Sequence, residues 1–226
     1  MNPTSSRNLA ADVFNTLKER IYRWEYSPGH RFTEEAVCAE FGMSRSPVRE
    51  ALGMLVENGL VEKIPYRGYT VKQPDMQTIY ELYDVRLALE LFVIGHLAKN
   101  GMPQETWTQL HTAWSSIPQD APQESGPDYP RWDEEFHENL AMATNNQTLV
   151  QTLRAINERL HFIRIYDITT SERLQLTVEQ HLRILQCIQL HDSACAQEAL
   201  TINIMDGRKH AELAVRDAIA RAYLGI

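Results

Sequence analysis

The sequence is poor in cysteine. Cys38, Cys187 and Cys195 are odd in number and form no CxxC pair. That pattern argues against a zinc finger and predicts a reducing cytoplasm with no disulfide framework. Long apolar runs are also missing. The most hydrophobic stretch, Leu87 to Ala98, is interrupted by Glu90 and His96 and falls short of the roughly 20 residues needed to span a bilayer. The opening MNPTSSRN is polar and has no apolar signal-peptide core. Together these absences predict a soluble, cytoplasmic protein with no membrane partner. The chain has no HExxH, no nucleophile elbow and no Gly-rich phosphate loop, so several common enzyme chemistries lack their residues.

What is present suits one large domain or two small ones: 226 residues, 43% hydrophobic and 23% charged, enough apolar material for a real core. The net charge of −8 speaks at first against a nucleic-acid partner. Its distribution answers that objection. Met1 to Pro74 carries ten Lys and Arg against nine Asp and Glu, whereas the remainder carries 12 against 21. The acidity therefore belongs to the C-terminal part. Any affinity for DNA must come from local clustering and should be salt-sensitive.

Such a cluster lies in Phe41 to Lys63, FGMSRSPVREALGMLVENGLVEK. Gly42 ends a short helix, Glu34 to Phe41, which Thr33 can cap. Pro47 disfavours the helical region for the residue before it, so the pattern predicts Ser46 as N-cap and Pro47 as the first helical residue. Val48, Leu52 and Leu55 recur at helical spacing, with Ala51 and Val56 widening the apolar face. Arg45 and Arg49 then project from the exposed leading end. A short helix, a turn and a second helix led by arginines is the layout of a helix-turn-helix, whose second helix enters the major groove by its N-terminal residues. Arginine suits that place because its planar fork bonds guanine O6 and N7 together. By themselves the two arginines favour an ordinary solvated helix. LVEKIP and YRGYTVKQ shift the balance, because they predict two short strands around a turn at Tyr66 to Gly68. Arg67 at the tip is placed to reach phosphate or the minor groove. A first helix is expected over Leu9 to Trp24, with Val13, Leu17 and Ile21 as its stripe.

These residues resemble the GntR family of bacterial transcription regulators. The matching pieces are Pro28-Gly29, Glu34, Ser44 to Leu52, Gly59-Leu60-Val61, and Arg67-Gly68 with Val71. The resemblance implies binding to a double-stranded operator through Arg45, Ser46, Arg49 and the wing glycine Gly68. Arg67 is added by its place at the wing tip, and the operator is expected to be palindromic. The resemblance also implies a division into a winged helix-turn-helix over residues 1–74 and a second domain over 75–226.

After Met76 only helical patterns occur. They predict an all-α antiparallel bundle of about six helices, so the fold class is mainly α. The expected helices run from Met76 to Lys99, Pro103 to Ile117, Asp128 or Tyr129 to Ala143, Leu149 to Tyr166, Ser171 to Leu190, and from after Asp192 to Tyr223. A loop, PQDAPQESGPDYP, separates the second from the third. Asp133 and His137 are four residues apart and share one helix face. The pair can ligate a metal, form an ion pair or be solvated. His181 and Asn203 lie equally far from the turn around Asp192, so they stand at one level of the bundle.

The same region resembles the FCD effector domain of the FadR branch of that family. The matching pieces are VRLALE with Arg86, DEEFH with Asp133 and His137, TNNQTL with Asn146, EQHLRIL with His181, and the HDSACAQEAL turn. The resemblance implies a divalent metal (zinc, nickel or manganese) held by one aspartate and three histidines, with a small organic acid bound beside it. Asp133, His137 and His181 match three of those ligand positions, and Asn203 stands where the third histidine is expected. A neutral amide oxygen is a poorer partner for zinc or nickel than imidazole, and His210 lies roughly 10 Å further along the helix. Arg86 matches a common arginine of the family and suits a bidentate bond to an effector carboxylate. A structural ion pair is its equal alternative. His30, His96, His111, His161 and His191 have no partners at ligand spacing and are expected at the surface or in packing. Trp107, Trp114 and Trp132 are expected in the core or an interface.

The expected function is a transcription regulator controlled by a small-molecule effector, with Arg86 and Asn203 at the effector. Two alternatives remain at this point: a metal-dependent enzyme using Asp133, His137 and His181, and a pure metal sensor using the same residues. Two-fold symmetry of the operator implies a homodimer, with Met76 to Ala98 and Leu149 to Tyr166 as interface candidates.

Overall fold

The computed structural model describes residues 3–23, 25–118, 128–164, 168 and 170–224. Trp24, most of the expected loop after Pro118, and the expected helix end at Tyr166 lie outside the described residues. The chain divides into two units, Met1–Asp75 with Asp217–Ile226, and Met76–Arg216. No described helix is long and apolar enough to cross a membrane.

In the first unit the order is α1 (Pro3–Tyr22), β1 (Arg31–Phe32), α2 (Glu34–Phe41), α3 (Arg45–Glu57), β2 (Val61–Ile64) and β3 (Gly68–Val71). The side chain of Thr33 accepts a hydrogen bond from the Ala36 amide and caps α2, and Gly42 ends that helix with a φ of 62°. Helix α3 begins earlier than its proline suggests. Ser44 is the N-cap, Arg45 the first helical residue, and Ser46 and Pro47 lie within the first turn. Proline is tolerated there because first-turn amides have no intrahelical acceptor to lose. Its ring is buried, which helps offset the crowding it imposes on Ser46.

Val48, Ala51, Leu52 and Leu55 of α3 are buried against Val13, Phe14, Leu17 and Ile21 of α1. Each such large side chain stabilises the unit by about 1.5–3 kcal/mol. Val56, expected on this face, is exposed, one residue round the helix from Leu55. The wing contains three strands among the described residues, in the order β1-β3-β2, because Arg31–Phe32 pairs antiparallel with Tyr69 and Thr70. A two-residue strand is too short to leave an alternating signal, so sequence reading found only β2 and β3.

The second unit comprises α4 (Met76–Asn100), α5 (Gln104–Ser115), α6 (Tyr129–Met142), α7 (Gln147–Arg164), α8 (Ser171–Gln189) and α9 (Ser193–Leu224). Asp128 and Thr170 cap α6 and α8 by accepting from the amides of Arg131 and Arg173. The buried face of α4 is Ile79, Leu82, Tyr83, Arg86, Glu90, Val93, Ile94 and Leu97. Two of the expected apolar positions, Leu87 and Leu91, are only half-buried. The charged pair Arg86 and Glu90 takes the inward face at their level.

Cys187 and Cys195 form a disulfide across the turn between α8 and α9, with Cα atoms 5.7 Å apart. This corrects the expectation that the cysteines stand alone. The helical reversal brings together two positions eight residues apart, a separation that a search for CxxC does not test.

Gly68 has a φ of +87°, and a Cβ placed on it would lie 2.5 Å from the Phe32 carbonyl oxygen. Gly68→Ala should therefore lower the stability of the first unit by at least about 2 kcal/mol, through left-handed strain and the backbone clash together. Urea denaturation measures this. A variant as stable as wild type would show that β1 does not need this close approach.

Candidate functional site

The sequence-predicted reading residues fall on two exposed features of the first unit. Arg45, Ser46 and Arg49 lie in the opening turns of α3, and Arg67 lies in the turn between β2 and β3. Tyr66 beside it has a φ of 63° and is exposed. Gly68 shapes the wing through its contact with Phe32. The arginine heads are not free. Arg45 Nη2 donates to Glu35 Oε1 at 3.0 Å, and Arg49 Nη2 donates to Glu34 Oε2 at 2.9 Å. The hydrogen bond from Arg49 holds the Glu34 carboxyl below its usual range. Sequence reading placed Glu34 at the start of α2 but did not see this pairing, which crosses between two helices.

In the second unit, Asp133 and His137 of α6 converge with His181 of α8. Their ligand atoms lie within 4.8 Å of one another, and all three residues are buried. His181 Nε2 lies 3.2 Å and His137 Nε2 3.8 Å from Asp133 Oδ1. The His181 ring stacks on Phe136, with centroids 3.8 Å apart, and meets the edge of Trp114. Trp114 is thus a wall of this site as well as a core residue. His137 Nε2 and both ring nitrogens of His181 are buried without a hydrogen-bond partner. Buried polar atoms are rarely left so. Two imidazoles and a carboxylate are borderline donors that suit a first-row divalent ion, so the residues fit the metal that the sequence resemblance implies.

A layer of charge surrounds these three. Arg86 Nε donates to Glu90 Oε1 at 2.6 Å, and Glu90 Oε2 lies 2.5 Å from His137 Nδ1. Arg86 therefore makes the structural ion pair, while its Nη2 is buried and without a hydrogen-bond partner. Arg164 Nη1, on α7, lies 3.4 Å from Asp133 Oδ2 and 3.8 Å from Glu134 Oε1. His161 Nδ1 lies 2.8 Å from the same Glu134 oxygen. His161, expected at the surface or in packing without partners, is thus a buried partner of Glu134. Spacing along one helix could not find Glu90, Glu134, His161 or Arg164 as neighbours, because the contacts join α4, α6 and α7. Charged residues at core-facing positions of α4 were the only available sign.

Asn203 is buried at the level expected for it, but its amide nitrogen donates to Gln180 Oε1 at 3.0 Å. Gln180 in turn donates to Asp206 at 2.7 Å. Equal spacing from the turn found the right level and missed by one residue on α8. His191 Nδ1 lies 2.8 Å from the Ala98 carbonyl oxygen, and His111 stacks on Trp107.

The electrostatics follow from burial and partners. Burial pushes the Glu90 carboxyl up, but Arg86 and His137 outweigh it and leave it at about 2. Asp133 is likewise held well below its usual range. There His137, His181 and Arg164 outweigh the opposing effect of burial. Burial lowers His181 to about 4 against the opposing pull of Asp133. An imidazole depressed from 6.5 to about 4 binds its proton more weakly folded than unfolded, so its contribution is complete above pH 6.5 and lost as the pH falls towards 4. In chelator-treated protein that loss should approach about 3 kcal/mol. Glu90 adds a further loss in the same direction below about pH 4.5. Urea denaturation at pH 7, 5.5 and 4 reads the slope. His181→Gln should flatten it above pH 4.5, and an unchanged slope would remove His181 as its source.

Comparison with known proteins agrees with this architecture. Residues 9–71 match the family described as bacterial regulatory proteins, gntR family, and residues 81–204 match the FCD domain. The Nta operon transcriptional regulator of Aminobacter aminovorans is 30% identical over 162 residues, covering 71% of this chain and 74% of that protein. The HTH-type transcriptional regulator YdhC of Bacillus subtilis is 27% identical over 188 residues, covering 82% and 83%. The solved structure of E. coli McbR/YncC shares the fold, with a TM-score of 0.68 and 21% identity over 92% of this chain and 98% of that one. These relatives are regulators, which sets aside the enzyme alternative. The chain belongs to the gntR family of bacterial regulatory proteins: it is a DNA-binding transcription regulator with an FCD domain.

Proposed function

We propose that the second unit senses a small organic acid and that a divalent ion held by Asp133, His137 and His181 takes part in its binding. The observation that carries this reading is the set of buried ring nitrogens without hydrogen-bond partners beside a buried carboxylate. The ion would be zinc, nickel or manganese. It would supply positive charge for an acid in a cluster where Glu90, Asp133 and Glu134 outnumber Arg86 and Arg164. Arg86 Nη2 is the atom of that residue offered to an effector. Asn203 would meet the effector through its carbonyl oxygen, since its amide nitrogen is engaged with Gln180. Elemental analysis of protein purified without chelator or affinity-tag metal should find the ion in stoichiometric amount. His137→Ala should abolish its retention through dialysis. Absence of the ion from wild type, with a melting temperature unmoved by added zinc, nickel or manganese, would remove the metal from the proposal. A change in operator affinity with metal alone would instead make the ion the signal.

At the DNA, the reading residues are Arg45, Ser46, Arg49, Arg67 and Gly68, acting from the cytoplasm on a palindromic operator. The exposed ion pairs to Glu34 and Glu35 orient the arginines in solution, and pairs of that kind are weak enough to be exchanged for a base or phosphate. A homodimer supplies the two-fold symmetry. Of the two interface candidates, α4 is favoured, because it exposes Val85 and Phe92 one above the other. The apolar side chains Leu149, Leu153, Ile156, Leu160 and Ile163 of α7 are buried within the unit. Arg49→Ala should leave the melting temperature unchanged and weaken operator binding roughly 5- to 150-fold, the range for one bidentate base contact. A gel shift at fixed salt, on genomic fragments selected by the wild-type protein, measures it. Unchanged affinity would remove Arg49 from the reading surface.

A further inference from the structure

We propose that Glu90 is a positioning residue that fixes which nitrogen of His137 faces a metal ion. The proposal rests on the reading that Asp133, His137 and His181 hold that ion. Glu90 stands on α4 and His137 on α6, 47 residues apart in sequence, with Glu90 Oε2 and His137 Nδ1 separated by 2.5 Å. An ionised carboxylate can only accept, so Nδ1 carries a ring proton, and in the neutral ring that an ion requires Nε2 then carries the lone pair. That Nε2 is buried without a hydrogen-bond partner and lies 3.8 Å from Asp133 Oδ1. In that neutral form two electron-rich atoms face each other with no proton between them, an arrangement a cation relieves as a second ring proton would.

Glu90 is held in this role from its other side. Its Oε1 accepts from Arg86 Nε at 2.6 Å, so both carboxylate oxygens are engaged and Glu90 does not itself serve as a ligand. Arg86 reaches the ion site through Glu90 and His137. The aspartate and two histidines are thereby joined to α4, a helix that contributes no ligand among them. A carboxylate behind a ligating histidine fixes its tautomer and ring orientation and raises its basicity, and losing such a partner typically weakens metal binding 10- to 100-fold. The competing account is that Glu90 only neutralises Arg86 in the core and touches His137 incidentally.

Zinc affinity, measured by competition with a chromophoric chelator, separates the two accounts. Glu90→Gln should weaken zinc roughly 10- to 100-fold. Because this variant leaves the buried Arg86 charge unpaired, Arg86→Met with Glu90→Gln is measured beside it, and the same loss is expected. Histidine-selective 15N NMR of wild type, before zinc is added, supplies a readout independent of either variant. His137 should carry its proton on Nδ1, and zinc should perturb Nε2. A folded variant that binds zinc as tightly as wild type overturns the role of Glu90 alone, as does a wild-type His137 protonated on Nε2. Wild type that binds no zinc overturns the metal reading and this proposal together.

Discussion

Charge buried among apolar helices is the constraint on which the second unit depends. Glu90, Asp133 and Glu134 project into a core otherwise made of leucine, isoleucine, phenylalanine and tryptophan, and each would be costly there alone. They are tolerated because Arg86 from α4 and Arg164 from α7 are buried with them. Removing one partner of such a set leaves an uncompensated charge, which is far worse than never having had the pair. The helices are therefore joined by contacts that tolerate little exchange, in addition to side-chain packing. The same contacts leave ring nitrogens and guanidinium edges unsatisfied, and the proposed binding rests on these groups.

The first unit is built on the opposite principle. Its core is apolar, from Val13 to Val71, and its charges lie outside in mobile water. Arg45 and Arg49 are exposed and paired with Glu35 and Glu34 at ordinary surface distances. High dielectric makes such pairs weak. In the proposed reading of DNA these side chains are aimed but not committed, because the pairing is weak and the helix rigid. Near-neutral charge in this part of the chain leaves binding to depend on where the few arginines stand.

Local signals made the elements legible. The stripe of Val48, Leu52 and Leu55, the capping residues Thr33 and Asp128, and the break at Gly42 are written within a few residues of the structure they specify. The helices of the bundle accordingly begin and end close to where periodicity places them. Part of the site was legible too, since Asp133 and His137 share a helix face and the α8–α9 turn sets the level of His181. What escaped was the company these residues keep. Glu90 read as an interruption of an apolar run, His161 as a bystander and Cys187 as one of three cysteines outside any disulfide framework. Each owes its role to a neighbour on another helix or beyond a turn. The start of α3 failed for a different reason: a local rule about proline was outweighed by the burial of its ring.

The amide at Asn203 has a bearing on proton traffic. Imidazoles must shed their protons before they can donate a lone pair, so each histidine in a ligand set makes an incoming ion compete with acid. An asparagine neither gains nor loses a proton across the biological range. Here its amide is occupied by Gln180, which is itself anchored to Asp206. The Asn203 amide itself keeps the same charge and the same hydrogen-bonding capacity across that range. In the proposed metal site an incoming ion would then meet one imidazole fewer that must first shed a proton.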